Sequence, residues 1–414
     1  MSSKTKTNAT EEEATPALVP KLRFPEFRDA DGWKQTPLED CLDYQQPTPY
    51  LVADTKYSPA FKIPVLTAGK TFILGYTDEQ HGIFSEGLPV IIFDDFTTAT
   101  QFVDFPFKAK SSAMKILEAK NGADIKFMYE TLQTLSYEVG AHERHWISNF
   151  APMLVPVPKP AEQQKIAECL SSMDELIGAE SRKLDALKDH KKGLMQELFP
   201  REGETQPRLR FPEFQNAGEW VEEKLDDLIH LQDGFAFKST DFVKSKGDAT
   251  QVIRITDINN KNINEDKVFI SNLFLESNNL TKYSVEDGDL LLSLTGAAGF
   301  NFFFWDGGRA VINQRTAKVT PKKKSSRALL QLLEPLIYEK INERGEGQNN
   351  NLSKEFLSTI VLLVPEPAEQ QRIASCLGSL DALITAAIQK LEALKTHKQG
   401  LMQQLFPSPE EVES

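Results

Sequence analysis

Two stretches of the chain repeat apolar residues at alternating spacings of four and three. In the first, Ile166, Leu170, Met173, Ile177, Glu180, Leu184, Leu187, Lys191, Leu194 and Leu198 follow this rule. In the second, Ile373, Leu377, Leu380, Ile384, Ala387, Leu391, Leu394, Lys398, Leu401 and Leu405 follow it. A seam held past four heptads predicts a coiled coil rather than an amphipathic helix lying on a domain. Pro160 and Pro367 suit first helical positions, Glu162 and Glu369 complement positive helix ends, and Pro200 and Pro407 stop the runs. At ~1.5 Å per residue each helix would be roughly 57 Å long. The pattern leaves open whether the helices meet within one chain or between chains. Lys191 and Lys398 interrupt the seam at matching positions, and either set its register or turn toward solvent or a partner. Gly193 and Gly400 predict a weak last turn, a kink or a close backbone approach.

The two helices are copies. Residues 158–200 and 365–407 are identical at 29 of 43 positions without a gap. A shorter repeat precedes each copy: Leu22-Arg-Phe-Pro-Glu-Phe27 leads to Trp33, and Leu209-Arg-Phe-Pro-Glu-Phe214 leads to Trp220. The heads recur at an offset of 187 and the helices at 207, so the insert between them is about 20 residues longer in the second half. The inserts, roughly 34–150 and 221–352, show little resemblance to each other. Each mixes short apolar runs with Gly, Asp and Pro breaks, as strands and turns do. Strands are expected at Lys62–Thr67, Leu88–Phe93, Thr250–Thr256 and Asp289–Leu294, and helices at Ala123–Tyr137 and Ser326–Glu343. The expected organisation is a tail at 1–19, a mixed α/β domain at 20–157, a helix at 158–200, a linker at 201–206, a second domain at 207–364, a helix at 365–407 and a tail at 408–414.

A net charge of −13 argues mildly against nucleic-acid binding, although a basic face is not excluded and Lys322-Lys-Lys-Ser-Ser-Arg327 is a local basic run. The loops carry amides, hydroxyls and cations of the kind that read base edges. In the first insert the candidates are Lys70, Thr71, Thr97, Thr98, His142 and Arg144; in the second they are Lys238, Asn313, Gln314, Arg315, Gln348 and Asn349. Catalytic motifs fail on inspection. Gly69-Lys70-Thr71 ends like a phosphate loop, but the required first glycine is Pro64. No Asn/Asp-Pro-Pro-aromatic motif of DNA amino-methyltransferases is present. Asp257 with Glu265-Asp-Lys267 lacks the spacing of a metal-dependent nuclease, and His142 with His145 lacks further zinc ligands. The three cysteines form no CxxC and fit reduced thiols of the cytoplasm, and no apolar run approaches the ~20 residues of a membrane span. No catalytic residue and no metal site is expected.

Pro-Ala-Glu-Gln-Gln at 160–164 and 367–371, together with the two Leu-Arg-Phe-Pro-Glu-Phe heads, resembles the specificity subunit of type I restriction-modification systems. Looser matches to a target recognition domain are Gly69-Lys-Thr, Ile73-Leu-Gly-Tyr76, Phe93-Asp-Asp-Phe-Thr97, His145-Trp-Ile-Ser148, Gly234-Phe-Ala-Phe-Lys238 and Ile312-Asn-Gln-Arg315. The resemblance implies an α+β chain in which two target recognition domains are joined by two long helices. These would form an intramolecular antiparallel coiled coil with pseudo-twofold symmetry. It implies a non-catalytic, DNA-binding subunit of a phage-defence system that reads an asymmetric bipartite site. The implied partners are double-stranded DNA, two modification (methyltransferase) subunits and two restriction (motor-nuclease) subunits. This chain would hold no cofactor, since S-adenosylmethionine, ATP and Mg would belong to those subunits. A coiled-coil scaffold that binds only proteins, and a standalone nuclease or methyltransferase, are the alternatives.

Overall fold

The computed structural model describes residues 18–67, 71–137, 144–201, 203–243, 247–259, 267–294, 302–322, 328–333, 336–337 and 354–407. Most of the tails expected at 1–19 and 408–414 lie outside these residues. The chain divides into two compact units, one formed by 1–182 with 388–414 and the other by 183–387.

In the first unit the strands are β1 (Lys34–Pro37), β2 (Leu42–Gln45), β3 (Ile63–Leu66), β4 (Ile73–Thr77), β5 (Val90–Asp94), β6 (Thr100–Val103), β7 (Lys108–Ala109), β8 (Met114–Ala119) and β9 (Leu154–Val157). An antiparallel sheet runs β2-β8-β5-β6, and a second runs β4-β3-β7 with β3 and β7 parallel. Strand β5 is buried on both faces, so it reads as a continuous apolar run rather than an alternating one. Its Val90 and Ile92 face the second sheet, packing with Leu66, Phe107 and Ile116. Its Ile91 and Phe93 face the helix layer, with Trp33, Phe127 and Ile166. The expected helix at Ala123–Tyr137 forms over Ile125–Thr134, where the Asp124 carboxylate caps it by accepting from the Phe127 amide at 2.8 Å.

In the second unit the strands are β10 (Val221–Lys224), β11 (Ile229–Asp233), β12 (Phe242–Val243), β13 (Ala249–Ile253), β14 (Val268–Ser271), β15 (Ser284–Val285), β16 (Leu290–Ser293), β17 (Phe302–Phe304), β18 (Ala310–Ile312), β19 (Thr316–Pro321) and β20 (Val361–Val364). The antiparallel sheet β11-β19-β16-β17 repeats the order of its counterpart, and β13 pairs antiparallel with β14 and parallel with β18, as β3 does with β4 and β7. Strands β12 and β15 extend this sheet at its edges. The inserts thus share a topology that their sequences do not display. Leu290 and Leu292 face the helix layer, and Leu291 faces the other way. Of the helix expected at Ser326–Glu343, residues 328–333 and 336–337 are helical and the remainder lies outside the described residues.

Two 39-residue helices span Pro160–Leu198 (the central helix) and Pro367–Leu405 (the C-terminal helix). They meet within the chain. In the first unit they run antiparallel: Glu180 pairs with Lys390 at 2.8 Å and Asp174 with Lys398 at 2.7 Å, and Ile166, Ala167 and Leu170 share a cluster with Leu401, Met402 and Leu405. In the second unit Lys191 pairs with Asp381 at 2.6 Å, and Leu194, Met195 and Leu198 cluster with Ile373, Ala374 and Leu377. Every seam position named above is buried or half-buried. Lys191 and Lys398 therefore bind the opposite helix, each at the aspartate that the repeat places at the same position. Gly193 and Gly400 do not bring backbones close, because a Cβ at either would meet open space and the helices continue through both.

Candidate nucleic-acid interface

The duplicated motifs form the frame that holds the loops. In the first unit the Arg23 guanidinium donates to both oxygens of Glu162 at 2.7 Å and to the carbonyls of Ala30 and Asp31. The Trp33 indole donates to the same carboxylate at 3.2 Å. In the second unit Arg210 makes the same bidentate pair with Glu369 at 2.7 Å and donates to the carbonyls of Ala217 and Gly218. In each unit the carboxylate holds the guanidinium pKa above its ordinary value. Lys165 and Arg372 repeat a second clasp, each pairing with the head's glutamate (Glu26, Glu213) and lying over its phenylalanine (Phe24, Phe211). Gln163 and Gln370 each donate to the proline carbonyl five residues earlier at 2.8 Å. The expectation that Glu162 and Glu369 mainly complement the helix dipole is incomplete, since both are buried and neutralised by arginine.

On this frame the first domain gathers three segments around Asp95. The Asp95 carbonyl accepts from the His145 amide at 3.0 Å, and its carboxylate accepts from the Trp146 amide at 2.9 Å. Its own amide donates to the Ala113 carbonyl at 3.1 Å, and Lys115, fully buried, lies 3.4 Å away. Asp94 caps the β5–β6 hairpin by accepting from the amides of Phe96 and Thr97, and Thr98 closes it at a φ of +59°. Thr97 and Arg144 are exposed and joined through this knot; Thr98 is half-buried. Thr71 is exposed in the β3–β4 hairpin, where its carbonyl accepts from the Thr67 hydroxyl. Lys70 and His142 lie outside the described residues. Of the His142-Glu-Arg-His-Trp146 segment, which carries the candidates His142 and Arg144, the structure buries His145 and Trp146 in the core and leaves Arg144 outward. The same segment continues into a π-helical turn, Trp146–Phe150, whose exposed Ile147 and Ser148 were not among the candidates.

In the second domain the two motif loops are knitted backbone to backbone. Phe235 donates to the Ile312 carbonyl at 3.0 Å, Gln314 to the Phe235 carbonyl at 2.9 Å and Gly234 to the Thr316 carbonyl at 2.8 Å. A Cβ on Gly234 would lie 2.1 Å from the Asn313 carbonyl oxygen, so this approach requires glycine. Half-buried Asn313 turns its side-chain oxygen to the amides of Phe237 and Gln314, which makes it a loop staple. Gln314 and Arg315 are exposed, and Arg315 holds a φ of +69°. Lys238 is exposed at the start of a short turn closed by Asp241. Gln348 and Asn349 lie outside the described residues, as do Glu265, Asp266 and most of the basic run at 322–327. Asp257 pairs with Arg254 at 3.1 Å. Among the described residues no group of three or more His, Cys, Asp or Glu could hold a metal ion, and no helix is long and apolar enough to cross a membrane.

The geometry is that of a duplicated α+β protein whose halves share a frame and differ in their loops. Residues 217–396 match the family described as type I restriction modification DNA specificity domain. The chain is 52% identical over 134 residues to the type I restriction enzyme EcoR124I/EcoR124II specificity subunit of Escherichia coli, covering 31% of this chain and 33% of that one. It is 25% identical over 273 residues to the MjaVIII specificity subunit of Methanocaldococcus jannaschii, covering 62% of each. The aligned parts thus span about a third to three-fifths of these relatives' lengths. The crystal structure of a type I restriction-modification S subunit from M. genitalium shares the fold, with a TM-score of 0.63 and 16% identity over 94% of this chain and 100% of that one. The chain therefore resembles the specificity subunits of type I restriction-modification systems, with the family match carried by residues 217–396.

Proposed function

We propose that this chain is the DNA-recognition subunit of a type I restriction-modification complex, and that it does no chemistry itself. Residues 20–157 and 207–364 act as two target recognition domains, held apart by an antiparallel coiled coil of the two long helices with a pseudo-twofold axis across it. Unlike loops on like frames then read two dissimilar half-sites separated by unread base pairs. The candidate contacts are those placed above on the exposed loops, with Arg144 and Arg315 suited to phosphate or guanine, Gln314 to adenine and Thr97 to base edges. Two modification subunits, carrying S-adenosylmethionine, would methylate adenines, and two restriction subunits would use ATP and Mg, all in the cytoplasm. An acidic chain fits such a complex, because its partners would share the phosphate contacts. The observation that carries this reading is the shared topology of two inserts that differ in sequence, in a chain whose residues 217–396 match the type I restriction modification DNA specificity domain.

Genome-wide mapping of methylated adenines in a host carrying the system tests it. The expected result is one bipartite motif with unlike halves, of which exchanging residues 34–150 for another insert changes only one. A contiguous motif, or a change in both halves, would overturn it. In a gel shift, the chain co-expressed with its modification subunit should retard a duplex bearing the motif; a protein scaffold would retard none.

A further inference from the structure

The π-helical turn after His145 has a use that the frame does not explain. Ile147 is 60% exposed, yet the turn that carries it is firmly seated. Trp146 and Phe150 are buried on either side, each edge-on to Phe93 at centroid distances of 5.1 and 5.0 Å. Asn149 donates to the Tyr137 hydroxyl at 2.9 Å, and Tyr137 in turn packs on Phe150. The Asp95 knot ties the turn's first amides to the hairpin bearing Thr97. Turns of this kind are rare and often mark functional positions. Here the turn directs a stiff, β-branched apolar side chain outward between exposed Arg144 and Ser148. Hydrophobic burial does not account for that placement, because the side chain's neighbours in sequence have already taken the core. In the major groove, the apolar feature that a base edge presents beside its donors and acceptors is the C5 methyl group of thymine. A rigid isoleucine flanked by an arginine and hydroxyls matches that mixed surface.

Resting on the proposed function, we propose that Ile147 contacts a thymine methyl group in the half-site read by the first domain, and so selects thymine there. Once the motif is mapped, duplexes are made in which each thymine of that half-site, on either strand, is replaced singly by deoxyuridine. Binding is measured with the complex of this chain and its modification subunit. At one position the replacement should weaken the unaltered complex about fourfold, the loss of one buried methyl group. Ile147→Ala should bind the thymine duplex as weakly as the deoxyuridine one and be indifferent to the exchange, while Ile147→Val keeps most of the discrimination. Thermal unfolding of all three proteins should coincide, because the side chain is exposed.

The proposal is overturned if no thymine in that half-site is sensitive, if Ile147→Ala keeps the same sensitivity, or if Ile147→Ala loses its modification subunit instead. A complex that binds no duplex overturns the proposed function and this contact with it. Normal half-site selection without methyl sensitivity overturns the contact alone.

Discussion

Lys191 and Lys398 occupy the same position of the repeat, and the structure gives them different work. Lys398 bridges Asp174 on the central helix and Glu130 on the first domain's helix, at 2.7 and 3.0 Å. Lys126 closes the square, 2.7 Å from Asp174 and 2.8 Å from Glu130. Glu130 is fully buried, while the side chains of Lys398 and Asp174 are 16% and 37% exposed. Lys191 meets the 54%-exposed side chain of Asp381. Removing one member of a buried pair costs about 3–5 kcal/mol. Lys126 still serves both carboxylates and Asp174 is partly solvated, so Lys398→Met should cost about half that, ~2 kcal/mol. Lys191→Met breaks a surface pair worth about 0.5 kcal/mol. For a unit of this size, 1 kcal/mol moves the melting temperature by ~2–4 °C. Calorimetry should therefore show Lys398→Met melting about 4–8 °C lower and Lys191→Met at most about 2 °C lower. Equal shifts would refute the assignment.

The pH dependence carries a sign. Burial pushes the Asp174 carboxyl up, but its bonds to Lys126 and Lys398 outweigh this and hold it below its ordinary value. A depressed carboxyl stabilises above its unfolded pKa of about 3.9, and that stability is lost as the pH falls through the lower folded value. Lys126 is raised: burial lowers it, and its bonds to Asp174 and Glu130 more than compensate. Its contribution is full below about pH 10.4 and is lost as the pH rises through the higher folded value. The gap between unaltered protein and Lys398→Met should hold across neutral pH and narrow on strong acidification.

Two further outcomes test the frame. Arg210→Met strands the buried Glu369 carboxylate and should destabilise the second unit by about 3–5 kcal/mol, with Arg210→Met/Glu369→Met recovering much of it; melting of both variants checks this. Gly234→Ala drives a Cβ into the Asn313 carbonyl and should cost about 1–3 kcal/mol while weakening binding to the mapped motif; unchanged melting would contradict the knitted loops.

The long helices were legible because a seam over many turns has one solution, and their bounds agree to within a residue or two. The strand positions were legible as apolar runs, whereas their pairing was not: β3 with β7, or β13 with β18, joins segments over 40 residues apart with no shared pattern. The clasp of Arg23 on Glu162 left a signal in the joint repetition of both motifs, but partners 139 residues apart cannot be matched by spacing. The exposure of Ile147 was not legible, because an isoleucine beside Trp146 reads as core, and the π-helical turn is what separates it from the buried side. Asn313 reads in the sequence as a candidate contact, and that its side-chain oxygen also holds two loop amides was not legible, since a polar loop residue carries no mark of which way its amide faces.

In the proposed function, the antiparallel pair of helices sets the distance between two readers. Deleting one heptad from each helix at matching positions shortens the pair by roughly 10 Å, or about 3 base pairs of duplex. Mapping methylated adenines in a host carrying the shortened chain should return the same two half-sites with about 3 fewer unread base pairs between them. The same half-sites at the original separation would contradict the claim.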